Sequence, residues 1–376
     1  MPDVTFLFPC LNEERTLVCC VAQVRASLDK AALNYEIVVA DNGSTDRSRE
    51  IAQEQGCRVV PVPERGYGAA LRGGIMAARS RYVMFADSDD TYLYSDAAAL
   101  YKAARDHDAD MAIASRMNGK IEPGAMPWMH RWLGTPVLTW LINRLFQGQL
   151  SDCNSGFRCL KREAFERWDV RANGMEFASE LLIKALKAGA SIVEIKSGLR
   201  CGPPDRVAHL RTWRDGMRHL LFILSEKPRL FELTGLVAAL AASFLQTLAA
   251  VVGPVGIAGT FHVFDIHSQA LLLLAAAVGA QFYVFSCMLY LQSRDRPLRM
   301  TRKLIEMDEG VLFFLLVVLN LGVVAVVGVI GAEWALSRFG NLNVANRLLA
   351  SVHLLVVAQI FAIGLLGVHV LKKARR

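Results

Sequence analysis

The 376-residue sequence has no G-x-x-x-x-G-K-[ST] loop, which excludes a P-loop nucleotide site. Gly66-Tyr67-Gly68 follows a third apolar run rather than a first, and Leu71 stands where a dinucleotide fingerprint needs its third glycine. A Rossmann cofactor site is therefore excluded as well. The eight cysteines include no C-x-x-C pair and no His/Cys zinc spacing, and Cys19-Cys20 are adjacent. Scattered cysteines of this kind read as reduced thiols of a cytosolic compartment. The start, Met1-Pro2-Asp3-Val4-Thr5, lacks a basic n-region. The reading is that no signal peptide is present and that the N-terminal part stays in the cytosol.

Charge is also nearly missing from four long stretches, residues 231–253, 269–291, 311–334 and 348–371. Each matches the roughly 20 residues needed to cross a hydrocarbon core. Hydrophobic residues make up 53% of the chain, too many for an ordinary soluble enzyme, and most of the excess lies beyond residue 230. Arg294, Arg296, Arg299, Arg302 and Lys303 crowd the loop between the second and third stretches, and Lys372, Lys373, Arg375 and Arg376 the tail. Residues 254–268 hold no Lys or Arg, and the last loop only Arg338 and Arg347. The positive-inside rule then puts the basic loop, the tail and the N-terminal domain in the cytosol. An integral plasma-membrane protein is expected, with the formal net charge of +7 directed at the membrane and at phosphates rather than at nucleic acid. Two segments mix Trp with basic residues and read as helices lying in the headgroup plane: 126–146, with Trp128, Trp132 and Trp140, and 209–224, with Trp213.

The first 230 residues alternate short apolar runs with helical segments. Strands are predicted at 4–9, 35–40, 58–62, 82–86 and 109–114. The helix over 45–55 is predicted to be capped by Ser44 or Thr45. The alternation predicts a mostly parallel, doubly wound sheet with ligands beyond the carboxyl ends of its strands. Polar motifs fall at those ends: Pro9-Cys10-Leu11-Asn12-Glu13-Glu14, Asp41-Asn42-Gly43-Ser44-Thr45-Asp46, Arg65-Gly66-Tyr67-Gly68, Asp87-Ser88-Asp89-Asp90 and Ser115-Arg116. Five such motifs on one rim are hard to explain without a ligand. The carboxylates of 87–90 repel one another unless a cation lies between them. Hard oxygen ligands in this setting suit Mg²⁺ or Mn²⁺ shared with substrate phosphates.

The order PCLNEE, DNGSTD, RGYGAAL, DSDD, SR, DCNSGFR resembles inverting family 2 glycosyltransferases of the GT-A fold, and most closely the polyprenyl-phosphate, or dolichol-phosphate mannosyltransferase, type. The resemblance covers about residues 1–230. It implies a GT-A nucleotide-sugar-binding domain (1–205), an interfacial linker (206–230) and a four-helix membrane domain (231–376). Pro9, Asn12 and Glu13 would contact base and ribose, and Asp41 the base edge. Asp87 would lie near ribose and diphosphate, and Asp89 would hold the divalent metal. Arg116 would sit by the diphosphate or the acceptor phosphate, and Arg131 by the acceptor phosphate. Asp152, in Asp152-Cys153-Asn154-Ser155-Gly156-Phe157-Arg158, would lie beside the sugar and orient a hydroxyl or the nucleophile. Glu180 matches a helix acid, and Arg200 and Arg206 match a loop that closes on the donor. Two departures stand out: the loop reads Arg200-Cys-Gly-Pro-Pro-Asp-Arg206 where relatives have R-x-x-G-x-S-K, and Asp90-Thr91 follow D-x-D where many have Gln.

The implied reaction moves a hexose from UDP-glucose or GDP-mannose to an undecaprenyl or dolichyl monophosphate. A phosphomonoester with a second pKa of about 6 is already largely ionised, so cations matter more than a base. A processive polysaccharide synthase is the rival reading, but its Q-x-x-R-W motif would need Gln where Trp128 precedes Arg131-Trp132. A non-catalytic flippase or scaffold would have lost its carboxylates, and Asp87 and Asp89 are intact. The residues leave a homo-oligomer open.

Overall fold

A computed structural model describes residues 1–203, 212–257, 261–293, 295–336 and 345–373. Contacts divide the chain into two units, Met1–Leu224 and Ser225–Arg376.

In the first unit β1 (Val4–Cys10), α1 (Leu17–Lys30), β2 (Tyr35–Asp41), α2 (Ser48–Glu54), β3 (Arg58–Pro61), α3 (Tyr67–Ala77) and β4 (Tyr82–Phe85) follow one another. Then come α4 (Ala97–Asp106), β5 (Met111–Ser115), α5 (Thr135–Phe146), β6 (Arg158–Lys161), α6 (Arg162–Trp168), α7 (Phe177–Lys187), β7 (Ile192–Lys196) and α8 (Thr212–Ser225). The strands form one sheet in the order β3-β2-β1-β4-β6-β5-β7. Every pairing is parallel except those of β6, which runs antiparallel between β4 and β5. The five predicted strands therefore point the same way, and their motifs share one rim.

All seven residues of β1 are buried, as expected of a strand covered on both faces. Its side chains alternate. Phe6 and Phe8 join Val21 and Val24 of α1 and Leu100 of α4. Leu7 joins Leu71 of α3, Ile142 of α5 and Leu181 of α7 on the opposite face. The Gly66-x-Gly68 pair has a packing role. Gly66 adopts φ 131, and a side chain there would meet the Asn173 carbonyl, which accepts from Gly68 N–H at 2.9 Å. The start of α2 differs from the expected cap: the helix begins at Ser48, whose N–H and hydroxyl both bond Asp46 Oδ1 at 3.0 and 2.6 Å.

β6 is the element that the sequence hid. Its Arg158 is fully buried, with Nε, Nη1 and Nη2 donating to the carbonyls of Ser155, Ala178 and Cys153 at 2.8, 3.1 and 2.8 Å. The guanidinium thereby joins β6, the turn before it and α7. The segment expected to be one interfacial helix over 126–146 contains a π-helical stretch, His130–Gly134, ahead of α5. Trp128, Trp132 and Trp140 are exposed. Of the other interfacial candidate, residues 209–211 lie outside the described residues. In the rest, Ile223 is buried and Leu220 and Phe222 pack on the core beside α7, while Met217 and Leu221 stay exposed.

The second unit holds α9 (Pro228–Val252), a hairpin of β8 (Val255–Ile257) and β9 (Phe261–Val263), α10 (Ile266–Tyr290), α11 (Arg299–Glu306), α12 (Glu309–Leu336) and α13 (Ala345–Lys373). Four of its helices are long and apolar enough to cross a membrane, over Pro228–Val252, Ile266–Tyr290, Glu309–Leu336 and Leu348–Lys373. The four predicted stretches coincide with these four helices to within a residue at their ends or fall inside them. Glu232 of α9 is buried and accepts from Tyr290 Oη at 2.6 Å and Leu298 N–H at 2.9 Å. A carboxylate kept in this setting needs such donors. Thr301 Oγ1 and Tyr283 Oη, 3.0 Å apart, fasten α11 to α10.

Arg158→Lys removes the planar fork and strands at least one of three buried carbonyls. The expected loss is about 2–3 kcal/mol. Thermal unfolding of the full chain in detergent should show it as a lower first transition.

Candidate active site

The site is built where strands end. β6 runs against its neighbours, so Ser155-Gly156-Phe157, just before it, reach the same rim as the carboxyl ends of β4 and β5. The acidic loop after β4 and Arg116 after β5 stand two strand spacings apart, about 10 Å. Gly156 lies near the acidic loop: a Cβ there would sit 3.1 Å from Asp87 Oδ2 and 3.0 Å from Tyr92 Oη.

Asp87 is half-buried and ringed by tyrosines. Tyr67 Oη donates to its Oδ1 at 2.7 Å, Tyr94 Oη donates to its carbonyl, and Tyr92 Oη accepts from Gly156 N–H at 2.7 Å. Burial first, with the Asp87 charge adding to it, pushes Tyr67 well above the usual phenol range. Tyr92 and Tyr94 are also raised, mainly by burial. These hydroxyls stay protonated, and those of Tyr67 and Tyr94 hold the aspartate in place. Asp89 is buried, and its Oδ1 accepts from Thr91 N–H and Oγ1 at 3.1 and 2.6 Å. Ser88 Oγ ties the loop to the Pro9 carbonyl at 2.9 Å.

Across the rim, Arg116 forms a two-pronged pair with Asp152. Its Nε and Nη2 donate to Oδ2 and Oδ1 at 2.7 and 2.9 Å, and its N–H adds a third bond at 3.1 Å. The Asp152 side chain is fully buried and that of Arg116 12% exposed. Burial alone would raise the Asp152 pKa, but Arg116 and the N–H groups of Arg116 and Asn154 outweigh it and hold it below the usual value. The same partnership raises Arg116 against its own burial. Asp152 was expected beside the sugar. The structure pairs its carboxylate with Arg116, because a buried charge needs a partner and the guanidinium fork supplies one. Asp152 thus orients Arg116. His130 on the π-helical stretch is held below the usual imidazole range by burial and by the Arg116 charge. Arg131 lies over the Trp132 ring, 5.3 Å from its centroid. A cleft of roughly 530 Å³ beside the pair is lined by Met117, Pro136, Trp140, Asn143, Arg144 and Ser151.

The first two loops are bound to each other. Asn12, at φ 61, accepts Thr45 N–H on Oδ1 at 2.8 Å and donates its own N–H to Ser44 Oγ at 3.1 Å. Glu13 N–H donates to Ser48 Oγ at 2.8 Å. Asp41 is buried; it accepts from Gly43 and Ser44 N–H at 3.2 and 3.0 Å and pairs with Arg49 at 3.0 Å. Its carboxylate shapes the 42–44 turn at the end of β2. Glu180 is buried, accepts from Arg171 and Ala172 N–H and pairs with Lys184 at 2.7 Å. Arg200 bonds Asp90. Arg206 lies outside the described residues.

Among the described residues no three His, Cys, Asp or Glu side chains gather to hold a metal. The donor set, two carboxylates beside open rim, fits an ion that fills its shell with phosphate oxygens and water, as Mg²⁺ does.

Residues 5–169 match the sequence profile described as Glycosyl transferase family 2. An uncharacterized glycosyltransferase of Mycobacterium tuberculosis is 32% identical over 210 residues, 54% of this chain and 89% of that protein. The chain belongs to glycosyl transferase family 2. Low-salt glycan biosynthesis hexosyltransferase Agl6 of Haloferax volcanii is 39% identical over 228 residues, which span 60% of this chain but only 54% of that protein. Dolichyl-phosphate beta-glucosyltransferase of Homo sapiens is 29% identical over 256 residues, 62% of this chain and 76% of that protein. Among solved structures, glucosyl-3-phosphoglycerate synthase of Mycobacterium tuberculosis gives a TM-score of 0.47 at 22% identity, covering 60% of this chain and 79% of that one. The sheet is the mostly parallel GT-A type of this glycosyltransferase family, as the resemblance implied.

The tyrosines at 67, 92 and 94 escaped the sequence reading. Their only signal was their position beside Gly66-x-Gly68 and Asp87–Asp90.

The folded pKa of Asp152 lies below the ordinary carboxylate value. Its pair with Arg116 therefore stabilises fully above about pH 4, and that contribution is lost as pH falls further. Asp152→Asn should cost about 2–4 kcal/mol at pH 7, with the gap to wild type closing toward pH 3. Thermal unfolding across that range checks both.

Proposed function

We propose that this family 2 glycosyltransferase moves a hexose from UDP-glucose or GDP-mannose to a polyprenyl monophosphate, inverting the anomeric carbon. One observation carries the reading: an acidic pair faces a buried-carboxylate-held arginine across one rim, in a chain that also has four membrane-length helices. A water-soluble acceptor would need no such anchor. A polyprenyl chain stays in the bilayer, at about 0.8 kcal/mol per exposed CH₂, so the enzyme must come to the phosphate. The dolichyl-phosphate transferases among its relatives favour the same acceptor.

Asp87 and Asp89 would hold Mg²⁺ or Mn²⁺, which would neutralise the diphosphate of the donor as it leaves. Pro9, Asn12 and Glu13 would contact base and ribose, and Asp41 the base edge. Arg116, aimed by Asp152, and Arg131 would bind the acceptor phosphate and place its oxygen behind the anomeric carbon. That oxygen forms the new bond as the bond to the nucleoside diphosphate breaks. The acceptor arrives ionised, so no base is required, which agrees with Asp152 being spent on Arg116. The cleft beside Trp140 and Arg144 suits the first isoprene units, and the exposed Trp128, Trp132 and Trp140 suit the headgroup layer. The catalytic domain (1–205), the linker (206–230) and the C-terminus would then face the cytosol, with 231–376 in the membrane.

The deciding experiment incubates membranes containing the protein with radiolabelled nucleotide sugars and polyprenyl phosphate and follows label into the organic phase. Asp89→Asn, or EDTA on wild type, should cut transfer at least about 10³-fold; full activity in either case removes the metal from the scheme. Arg131→Ala should raise the KM for lipid about tenfold and leave that for the donor nearly unchanged. A defect confined to the donor would move Arg131 to the other substrate.

A further inference from the structure

The last acid of Asp87-Ser88-Asp89-Asp90 has its own partners. Asp90 sits at φ 58, a left-handed conformation that a non-glycine residue keeps only with local support. Its Oδ1 accepts from Gln23 Nε2 at 2.8 Å and Arg200 Nη2 at 2.5 Å. Arg200 Nε donates to the Asp90 carbonyl at 3.1 Å, and Nη2 also donates to Gln23 Oε1. The three side chains close a ring, and the Asp90 and Arg200 side chains are only 22% and 28% exposed.

The ring fastens a strap. After β7, Leu199 bridges to Tyr92 on one side and Ile121 on the other. Leu199 N–H donates to the Lys120 carbonyl at 3.1 Å, and Arg200 N–H to the Thr91 carbonyl at 2.9 Å. Thr91 is the hub. Its carbonyl holds the strap, while its N–H and hydroxyl hold Asp89 Oδ1. A shift of the strap therefore reaches Asp89 through one residue. The pairing also removes a competitor: with Arg200 on Asp90, its charge is answered within the protein and does not draw a cation away from Asp89.

We propose that Asp90, Gln23 and Arg200 form a latch that positions the donor site, with Asp90 a positioning residue rather than a metal ligand. The kinetic part of this proposal rests on the transfer reaction above, and the structural part does not. The test uses the full chain in detergent with Asp90→Ala, Arg200→Ala, the double variant and the exchanged pair Asp90→Arg/Arg200→Asp. Hydrogen exchange at the Leu199 and Arg200 amides should quicken about tenfold in each single variant. Donor KM should rise about tenfold with kcat within about threefold, the double should be no worse than either single, and the exchanged pair should recover part of the loss. Unchanged exchange in both single variants overturns the latch, whether or not the wild type transfers sugar. Strictly additive effects overturn it also. Loss of turnover with weakened Mn²⁺ dependence, as for Asp89→Asn, would make Asp90 a metal ligand instead.

Discussion

Three negative charges within four residues at the end of β4 set the terms for everything around them. Left alone, Asp87, Asp89 and Asp90 would repel one another and unsettle the strand end. The fold gives each a different answer. Asp87 receives the Tyr67 hydroxyl on its carboxylate and the Tyr94 hydroxyl on its carbonyl. Asp89 receives one residue's amide and hydroxyl. Asp90 receives a guanidinium, whose positive charge balances its own. The loop that results presents two charges and hides the third. Such a loop would suit an ion that prefers few protein ligands.

The antiparallel β6 does the complementary work. By separating β4 from β5 it moves Arg116 a strand further from the acids, opening room for a phosphate group between opposite charges instead of letting them collapse onto one another. Asp152 then holds Arg116 back from closing that gap. The glycine before β6 leaves the gap clear, because a side chain there would press on Asp87 and Tyr92.

The rim was legible because strands buried on both faces are continuous apolar runs, and polar motifs stand out where such runs stop. Val4–Cys10 and Met111–Ser115 announced themselves in this way. Arg158–Lys161 did not, since a strand of four residues with charged ends looks like surface, yet all four are buried. The block containing Asp152 was visible, but its bond to Arg116 joins residues 36 apart, and no local period encodes that. The tyrosines around Asp87 belong to the same class: their meaning lies in a convergence of chain segments that only the folded sheet creates. The four apolar helices were the easiest to see, since a bilayer selects on length and composition alone.

Arg158 has one more consequence. Its hydrogen-bond partners are all carbonyls, so its positive charge is solvated but not cancelled where it is bonded. It lies at the base of the turn that floors the gap, close enough to interact with Tyr67, Tyr92 and Asp152. A buried positive charge therefore lies beneath the rim. That charge offsets, from a residue with no place on the surface, part of the negative charge that Asp87 and Asp89 bring to the same rim.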